Sequence, residues 1–424
     1  VIKISFLLAA TMILVAPETS PAEDATKADS DSTVETTIEA GEAAVAEPRR
    51  KLVNWNEYEG PYFTIRVGLG FLYEAAAYDQ NENSKQQFSL EPDSKVRDFR
   101  LLLKGRLKFD RKVTWTCGIM YDGPTNEWLF RETGIMVAVP EIRGHLFVGR
   151  TKEGFSLNKV MTGYAGWTME RATMSDATVP ILGDGVKWLG FVPEWKILWN
   201  IGYYLDSINA RQSFSTYDNQ FVARIAWLPL LSETDRTLLH IGMNGRSGAV
   251  DDDELQIRSR PEAFPAPYFV DTGKFTAYTT RMLGWEAYYR PGPWLIGTEY
   301  WMQDVNSPDG GDPLFHGGDV AAAWIITGET RAYNTVGGYF KAVSPAKTVF
   351  DGGPGAWEAV LRLSYIDLDS GNIRGGKFWR LTPMLNWHLS DNVRLEFAYG
   401  YGELDRFGSE GATQFFQTRI QLQI

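Results

Sequence analysis

In the stretch FRLLLKGRLKF, Phe99 to Phe109, odd positions carry Phe99, Leu101, Leu103, Gly105, Leu107 and Phe109, and even positions carry Arg100, Leu102, Lys104, Arg106 and Lys108. A period of two is that of a β-strand, whose successive side chains point to opposite faces. One face is oily and the other strongly basic, in a chain whose net charge is −11. From Arg100 onward, no acid shares the basic face until Asp110.

The pattern recurs along the chain. In YFTIRVGLGFLYEA, Phe63, Ile65, Val67, Leu69, Phe71 and Tyr73 oppose Thr64, Arg66, Gly68, Gly70 and Glu74. WKILWNIGYY sets Trp195, Ile197, Trp199, Ile201 and Tyr203 against Lys196, Asn200, Gly202 and Tyr204, and FVARIAW sets Phe221, Ala223, Ile225 and Trp227 against Arg224. WEAVLRLSY places Glu358 and Arg362 opposite Trp357, Leu361 and Tyr365, and VRLEFAYGY places Arg394 and Glu396 opposite Val393, Phe397 and Tyr401. Short turns of Asp, Asn, Pro or Gly join such strands at FDRK, YRPGPW and LSDN. Other connections are long: Glu153 to Asp184, Ala249 to Thr280 and Gln303 to Asp312. Short turns at one end and long loops at the other are the pattern of a transmembrane barrel.

A soluble sandwich also alternates. Two features weigh against it. Aromatics recur at the ends of the apolar faces, where a membrane barrel meets its two interfaces. The basic face itself would cost about 2 to 4 kcal/mol per residue at the bilayer midplane if it met lipid, so it must face water in a lumen. No apolar run reaches the length of a spanning helix. The 41 glycines and 15 tryptophans suit close-packed strands with aromatic ends. The fold class is therefore all-β, a transmembrane antiparallel barrel.

At the start, Lys3, the apolar run Ile4 to Ala16 and Ser20-Pro21-Ala22 read as a signal peptide over residues 1–22. A lone Cys117 forms no internal disulfide, so an exported domain must draw its stability from a closed sheet. Residues 23–55 read as an acidic low-complexity tail, disordered in the periplasm, with eight acids and three bases between Glu23 and Arg50. The barrel is assigned to residues 56–424.

Parity names the lumen side chains. The bases are Arg66, Arg100, Lys104, Arg106, Lys108, Lys196, Arg224 and Arg362; the acids are Glu74, Glu286, Glu299, Glu358 and Glu396. Rows of cations along water lower the barrier to anions if each site releases its ion, and the guanidinium fork matches phosphate oxygens. The plainer reading, Arg-Glu networks that satisfy one another, carries more weight where Arg362 lies beside Glu358 and Arg394 beside Glu396. The four histidines show no metal-ligand spacing and no nucleophile or phosphate-loop motif is present, so neither enzyme, metal nor cofactor is expected. The run Asp251 to Glu254 is read as a solvated turn rather than a calcium loop.

Several segments resemble the porin O/P family, the phosphate- and polyphosphate-selective porins of Gram-negative outer membranes. ITGETRAY, Ile326 to Tyr333, is similar to that family's Leu-Thr-Gly-Glu-x-Arg-x-Tyr, carried here by Thr327, Gly328, Glu329, Arg331 and Tyr333. FHGGDVAAAWI precedes it, GAWEAVLRLSYIDL and LNWHLSDNVRLEFAYGY follow, and VGRTKEGFSLNKVMTGYAGWTMER and RSRPE lie upstream in the family's order. The resemblance implies a barrel of about sixteen strands, a homotrimer, and a constriction loop folded inward within Glu153 to Asp184, with Lys159, Glu170 and Arg171 on it. The loop lacks the lysine-rich character expected of phosphate-selective members, and the chain ends in Ile424 where an aromatic is usual.

The expectation is an outer-membrane porin for passive diffusion of small anions such as phosphate or polyphosphate, in contact with lipid and with no nucleic-acid partner. A non-conducting structural or adhesive barrel and a weakly selective general-diffusion porin remain open as alternatives.

Overall fold

The computed structural model describes residues 56–122, 127–205 and 217–424; the expected signal peptide and tail lie outside the described residues. Sixteen strands pair antiparallel, each with its chain neighbour. They are β1 Thr64–Gln80, β2 Asp93–Lys108, β3 Lys112–Asp122, β4 Thr133–Val139, β5 Gly144–Thr151, β6 Gly183–Val192, β7 Ile197–Leu205 and β8 Tyr217–Ser232. They continue as β9 Thr237–Val250, β10 Thr279–Pro291, β11 Trp294–Asn306, β12 Leu314–Ile325, β13 Ala356–Ser370, β14 Ile373–His388, β15 Val393–Arg406 and β16 Ser409–Gln423. The last strand returns to the first, from Gly70↔Gln423 to Gln80↔Thr413, and closes the barrel. Closure pairs every strand edge, which a sheet in hydrocarbon requires.

The alternation maps onto this wall as the sequence implies. β9 alternates buried with more exposed residues along its whole length, and its outward Ile241 and Met243 stand among apolar neighbours such as Leu283 and Trp285 of β10. At the short-turn end, outward Trp pairs stack across adjacent strands: Trp294 on Trp324 at 5.2 Å and Trp357 on Trp387 at 4.8 Å between ring centroids. At the opposite end stand Tyr203, Phe221 and Tyr278. These two bands are the aromatic girdles of a membrane barrel, and the short turns mark the periplasmic end.

Three segments leave the wall and fold inward. The first, residues 152–182, carries the short helices Leu157–Val160 and Thr173–Thr178. The second, residues 251–278, is a long hairpin with the pairs Glu254↔Thr276 and Arg258↔Asp271; its Phe269 packs on Phe88, Phe378 and Phe415. Both enter from the long-loop end. The third, residues 326–355, enters from the periplasmic end, where only short turns were expected. It places Phe340 against Trp167 of the first segment and Tyr288 of β10.

Irregular backbone at membrane depth survives only where protein satisfies its polar groups. Here side chains of the wall, joined by Arg331 of the third insert, do so residue by residue. Gln421 donates to the Tyr164 carbonyl at 3.1 Å, Arg331 to Ala165 at 2.9 Å, Arg394 to Gly166 at 2.6 Å and Asn386 to Trp167 at 2.8 Å. Arg419 donates to the Met169 carbonyl, and Arg362 to that of Glu170 at 2.7 Å and to the Thr168 hydroxyl at 3.0 Å. At the start of the segment the polarity reverses: Glu286 accepts from the Leu157 N–H and Glu299 from the Asn158 N–H, both at 2.8 Å.

This bonding makes Arg394 a test of the lumen's stability. Arg394→Met leaves the Gly166 carbonyl without its donor and removes the cation 3.0 Å from buried Glu396, at an expected cost of about 3 kcal/mol. Denaturant unfolding in lipid vesicles is expected to show that loss, and to recover more than half of it in the double variant Arg394→Met/Glu396→Gln.

Candidate functional site

The inserts do not fill the lumen evenly. From β8 to β16 almost all inward side chains are buried against them. Along β1 to β6, in the periplasmic half, inward Arg66, Lys104, Arg106, Lys108, Thr114, Thr116, Met136 and Lys187 stay accessible. The accessible inward side chains are thus gathered on one side of the barrel, and that side is basic.

A column of cations descends along β2. At its top, Arg258 and Arg260 of the second insert lie over the Tyr268 ring at 4.2 and 4.3 Å. Arg260 also faces Phe264 at 5.5 Å, and Arg97 of β2 covers the same ring at 4.5 Å. Guanidinium and ring thus alternate, and the rings hold the forks without neutralising them. Neither Arg258 nor Arg260 forms an ion pair among the described residues. Arg97 reaches the lumen because β2 bulges there: the pairs Leu72↔Asp98 and Tyr73↔Val96 leave it as the extra residue. It grips Glu170 with bonds of 2.8 and 3.1 Å.

Arg100 comes next, its guanidinium 4.9 Å from the Tyr164 ring. Tyr164 can come so close to the wall because position 70 is glycine; a Cβ there would stand 2.4 Å from the Tyr164 hydroxyl. Lys104 follows, paired in register with Arg66, and then Arg106 and Lys108. Lys152 and Lys187 face the path from the other side; Lys187 bonds Thr151 at 2.7 Å, and Lys152 bonds the Met161 carbonyl at 2.5 Å.

The structure separates the expected lumen residues into two groups. Arg66, Arg100, Lys104, Arg106 and Lys108 stand together on the open side. Arg224 and Arg362 are buried across the lumen, Arg224 on Glu286 and the Gly338 carbonyl, Arg362 on Glu262 and the first insert. Lys196 is not on the wall: it sits in the periplasmic turn before β7 with a positive φ of 54°. The basic row is not free of acids either. Asp98 bonds Arg100 at 3.1 Å, Glu59 bonds Lys108 at 3.0 Å, and Glu57 lies 3.4 Å from Arg66.

The expected acids all lie on the filled side or at its edge and are buried. Glu74 meets Arg419 and the Phe264 N–H; Glu286 meets Arg224 and His240; Glu299 meets Ser156 and Tyr288. Glu358 holds Arg331 through two bonds of 2.8 Å, and Glu396 faces Arg394. On the first insert, Glu170 turns to Arg97 and Arg419, Arg171 bonds the Asn158 and Met161 carbonyls, and Lys159 bonds that of Ser175 at 3.2 Å. Burial draws the Lys159 amine down to about 7, and that of Lys152 well below the ordinary lysine range.

The motif residues form the root of the third insert. Gly328 takes a φ of 95° and its carbonyl accepts from Arg236; Thr327 bonds Glu329, which also accepts the Ala346 N–H; and the Tyr333 hydroxyl bonds His240 at 2.7 Å. Arg331 joins Glu358 on the wall to the Ala165 carbonyl of the first insert. Sequence reasoning missed Arg97, Lys152, Lys187, Arg258 and Arg260. Parity in GVKWLGF would have found Lys187; the bulge hid Arg97. Among the described residues, no three His, Cys, Asp or Glu are arranged to hold a metal ion.

Known proteins share this architecture. The anion-selective porin from Comamonas acidovorans superimposes with a TM-score of 0.53 at 12% identity, covering 85% of this chain and 100% of that one. The outer membrane channel DcaP of Acinetobacter baumannii does so at 0.53 and 11%, covering 87% and 99%. OmpT of Vibrio cholerae, in its trimer form, gives 0.52 and 12%, covering 86% and 100%. At these identities the likeness is one of fold. An uncharacterized protein of Caulobacter vibrioides is 28% identical over 277 residues, which span 62% of this chain and only about half, 54%, of that relative. The sequence profile described as phosphate-selective porin O and P matches residues 65–424. The chain is thus an outer-membrane β-barrel porin of the Gram-negative envelope and belongs to the phosphate-selective porin O and P family.

Proposed function

We propose that the chain is a passive, anion-preferring channel whose solutes are phosphate or related small oxyanions, assembled as a homotrimer and working without chemistry or cofactor. One observation carries the reading: the accessible inward side chains lie on the same side of the lumen as the column of cations from Arg258 to Lys108. A water-filled path beside closely spaced cations replaces part of an anion's hydration with charge-assisted hydrogen bonds. Arginine in the upper part of the column favours oxyanions, since its fork matches two oxygens at once. The family and the anion selectivity named for the Comamonas porin agree with this reading, and the trimer form of the Vibrio protein agrees with the assembly. The three inserts that occupy the rest of the lumen favour one other reading, a barrel that does not conduct.

Planar-bilayer recording separates the two. Under a KCl gradient the wild type is expected to give a reversal potential of anion-selective sign, and added phosphate to reduce the chloride current. Replacing Arg100, Lys104, Arg106 and Lys108 by Gln is expected to abolish both. No conductance would support the non-conducting barrel, and cation selectivity would overturn the anion reading.

The upper pair has its own signature. Arg258→Gln/Arg260→Gln is expected to slow phosphate entry severalfold at about 0.01 M ionic strength, where the Debye length is about 30 Å, and to change little at 1 M. Event frequency in single-channel traces, rather than dwell time, reads this effect.

A further inference from the structure

Below the point where the last strand ends, the wall has an additional piece. Ile424 exchanges backbone hydrogen bonds of 2.9 and 3.3 Å with Leu69, so the first five residues of β1 project past β16. A three-residue strand, Glu57–Glu59, pairs with that projection in the register Glu57↔Arg66 and Glu59↔Thr64. Residues directly opposite in an antiparallel pair share a face. Both carboxylates therefore stand on the lumen side, at the periplasmic rim, where the cation column ends.

Their ion pairs differ in kind from those deeper in the lumen. Arg331 and Glu358 are 1% and 0% exposed and locked by further hydrogen bonds. At the rim, Arg66 and Glu57 are 24% and 47% exposed at 3.4 Å, and Lys108 and Glu59 are 38% and 77% exposed at 3.0 Å. Water-facing pairs of this sort are worth little and re-form readily. Just above them, Lys104 forms no ion pair within 4 Å among the described residues, and Glu57 reaches it only at longer range. An anion leaving Lys104 for the periplasm meets two cations that already have a competitor at hand.

We propose that Glu57 and Glu59 are release residues. Resting on the proposed anion conduction, the rim carboxylates swing off Arg66 and Lys108 as an anion arrives and return as it leaves, so the final cations pass the ion on without trapping it. Conduction needs sites strong enough to admit an ion and weak enough to free it, and a tethered acid meets the second need without giving up the first. The acids also make the two mouths unlike: the outer mouth presents arginines stacked on rings, and the inner mouth presents compensated charge.

The test is Glu57→Gln/Glu59→Gln in planar bilayers, with inorganic phosphate added to one side at a time. Phosphate block from the periplasmic side is expected to tighten about three- to tenfold, with dwell times lengthened in proportion, and block from the outer side to change less. In a Lys108→Gln background, adding Glu59→Gln is expected to change nothing, which a merely structural role for Glu59 would not produce. Equal block in wild type and double variant overturns the release role and leaves the anion channel standing. Absence of phosphate block in the wild type overturns the channel reading and this proposal with it. Should the double variant fail to give the heat-modifiable folded band, Glu59→Gln alone, whose side chain is the more exposed, carries the same expectation and the same refutation.

Discussion

The constraint on which this structure depends is that a chain crossing a barrel lumen outside the ladder must find a partner for each backbone polar group. Residues 164 to 170 lie at membrane depth with few hydrogen bonds of their own. Side chains from outside the segment supply the rest: Gln421, Arg394, Asn386, Arg419 and Arg362 of the wall and Arg331 of the third insert serve as donors along one short stretch. A buried guanidinium without compensation would be very costly, so these arginines bring acids with them, including Glu74, Glu358 and Glu396. What looks in isolation like a charged channel lining is, over half the circumference, a scaffold for the inserts. The accessible path is what that scaffold leaves over.

Seen this way, the division of charge follows a physical logic. On the filled side, cations and anions occur in nearly matched sets, because every buried charge needs its counterpart. On the open side, water does part of the solvating, and the cations can outnumber the acids. Arg258 and Arg260 are held by aromatic faces, which fix the orientation of a guanidinium without cancelling its charge. An acidic protein can thus keep a basic surface inside its barrel.

Much of the wall was legible from the alternation alone, since period two sets which side chains face inward, and the long strands β8 to β16 follow it with few interruptions. Parity fails where the backbone breaks step. The bulge in β2 turns Arg97 inward against its expected side, and the positive φ at Lys196 delays the wall to Ile197, two residues after the pattern begins at Trp195. The third insert was missed for a different reason. Its sequence carries the family motif, but nothing local to ITGETRAY says at which end of a barrel it will lie or that Arg331 will meet a carbonyl 166 residues away. Nor can parity separate a base that faces water from one that holds a loop, because both are polar residues at inward positions. Arg106 and Arg362 look alike in sequence, and only the inserts distinguish them.

The span of these contacts bears on how the barrel is built. The first insert runs over residues 152–182, yet the groups that hold it include Arg394 on β15 and Arg419 on β16, which lie 228 and 250 residues beyond their partners in the chain. Arg419 also meets Glu74 on β1, so one side chain joins the two strands at the seam to the insert between them. The insert cannot take its final anchorage while the wall is still open. Closing the wall and seating the insert are one event, completed by the last strand, and an assembly arrested a single strand short would lack both its edge and its anchor.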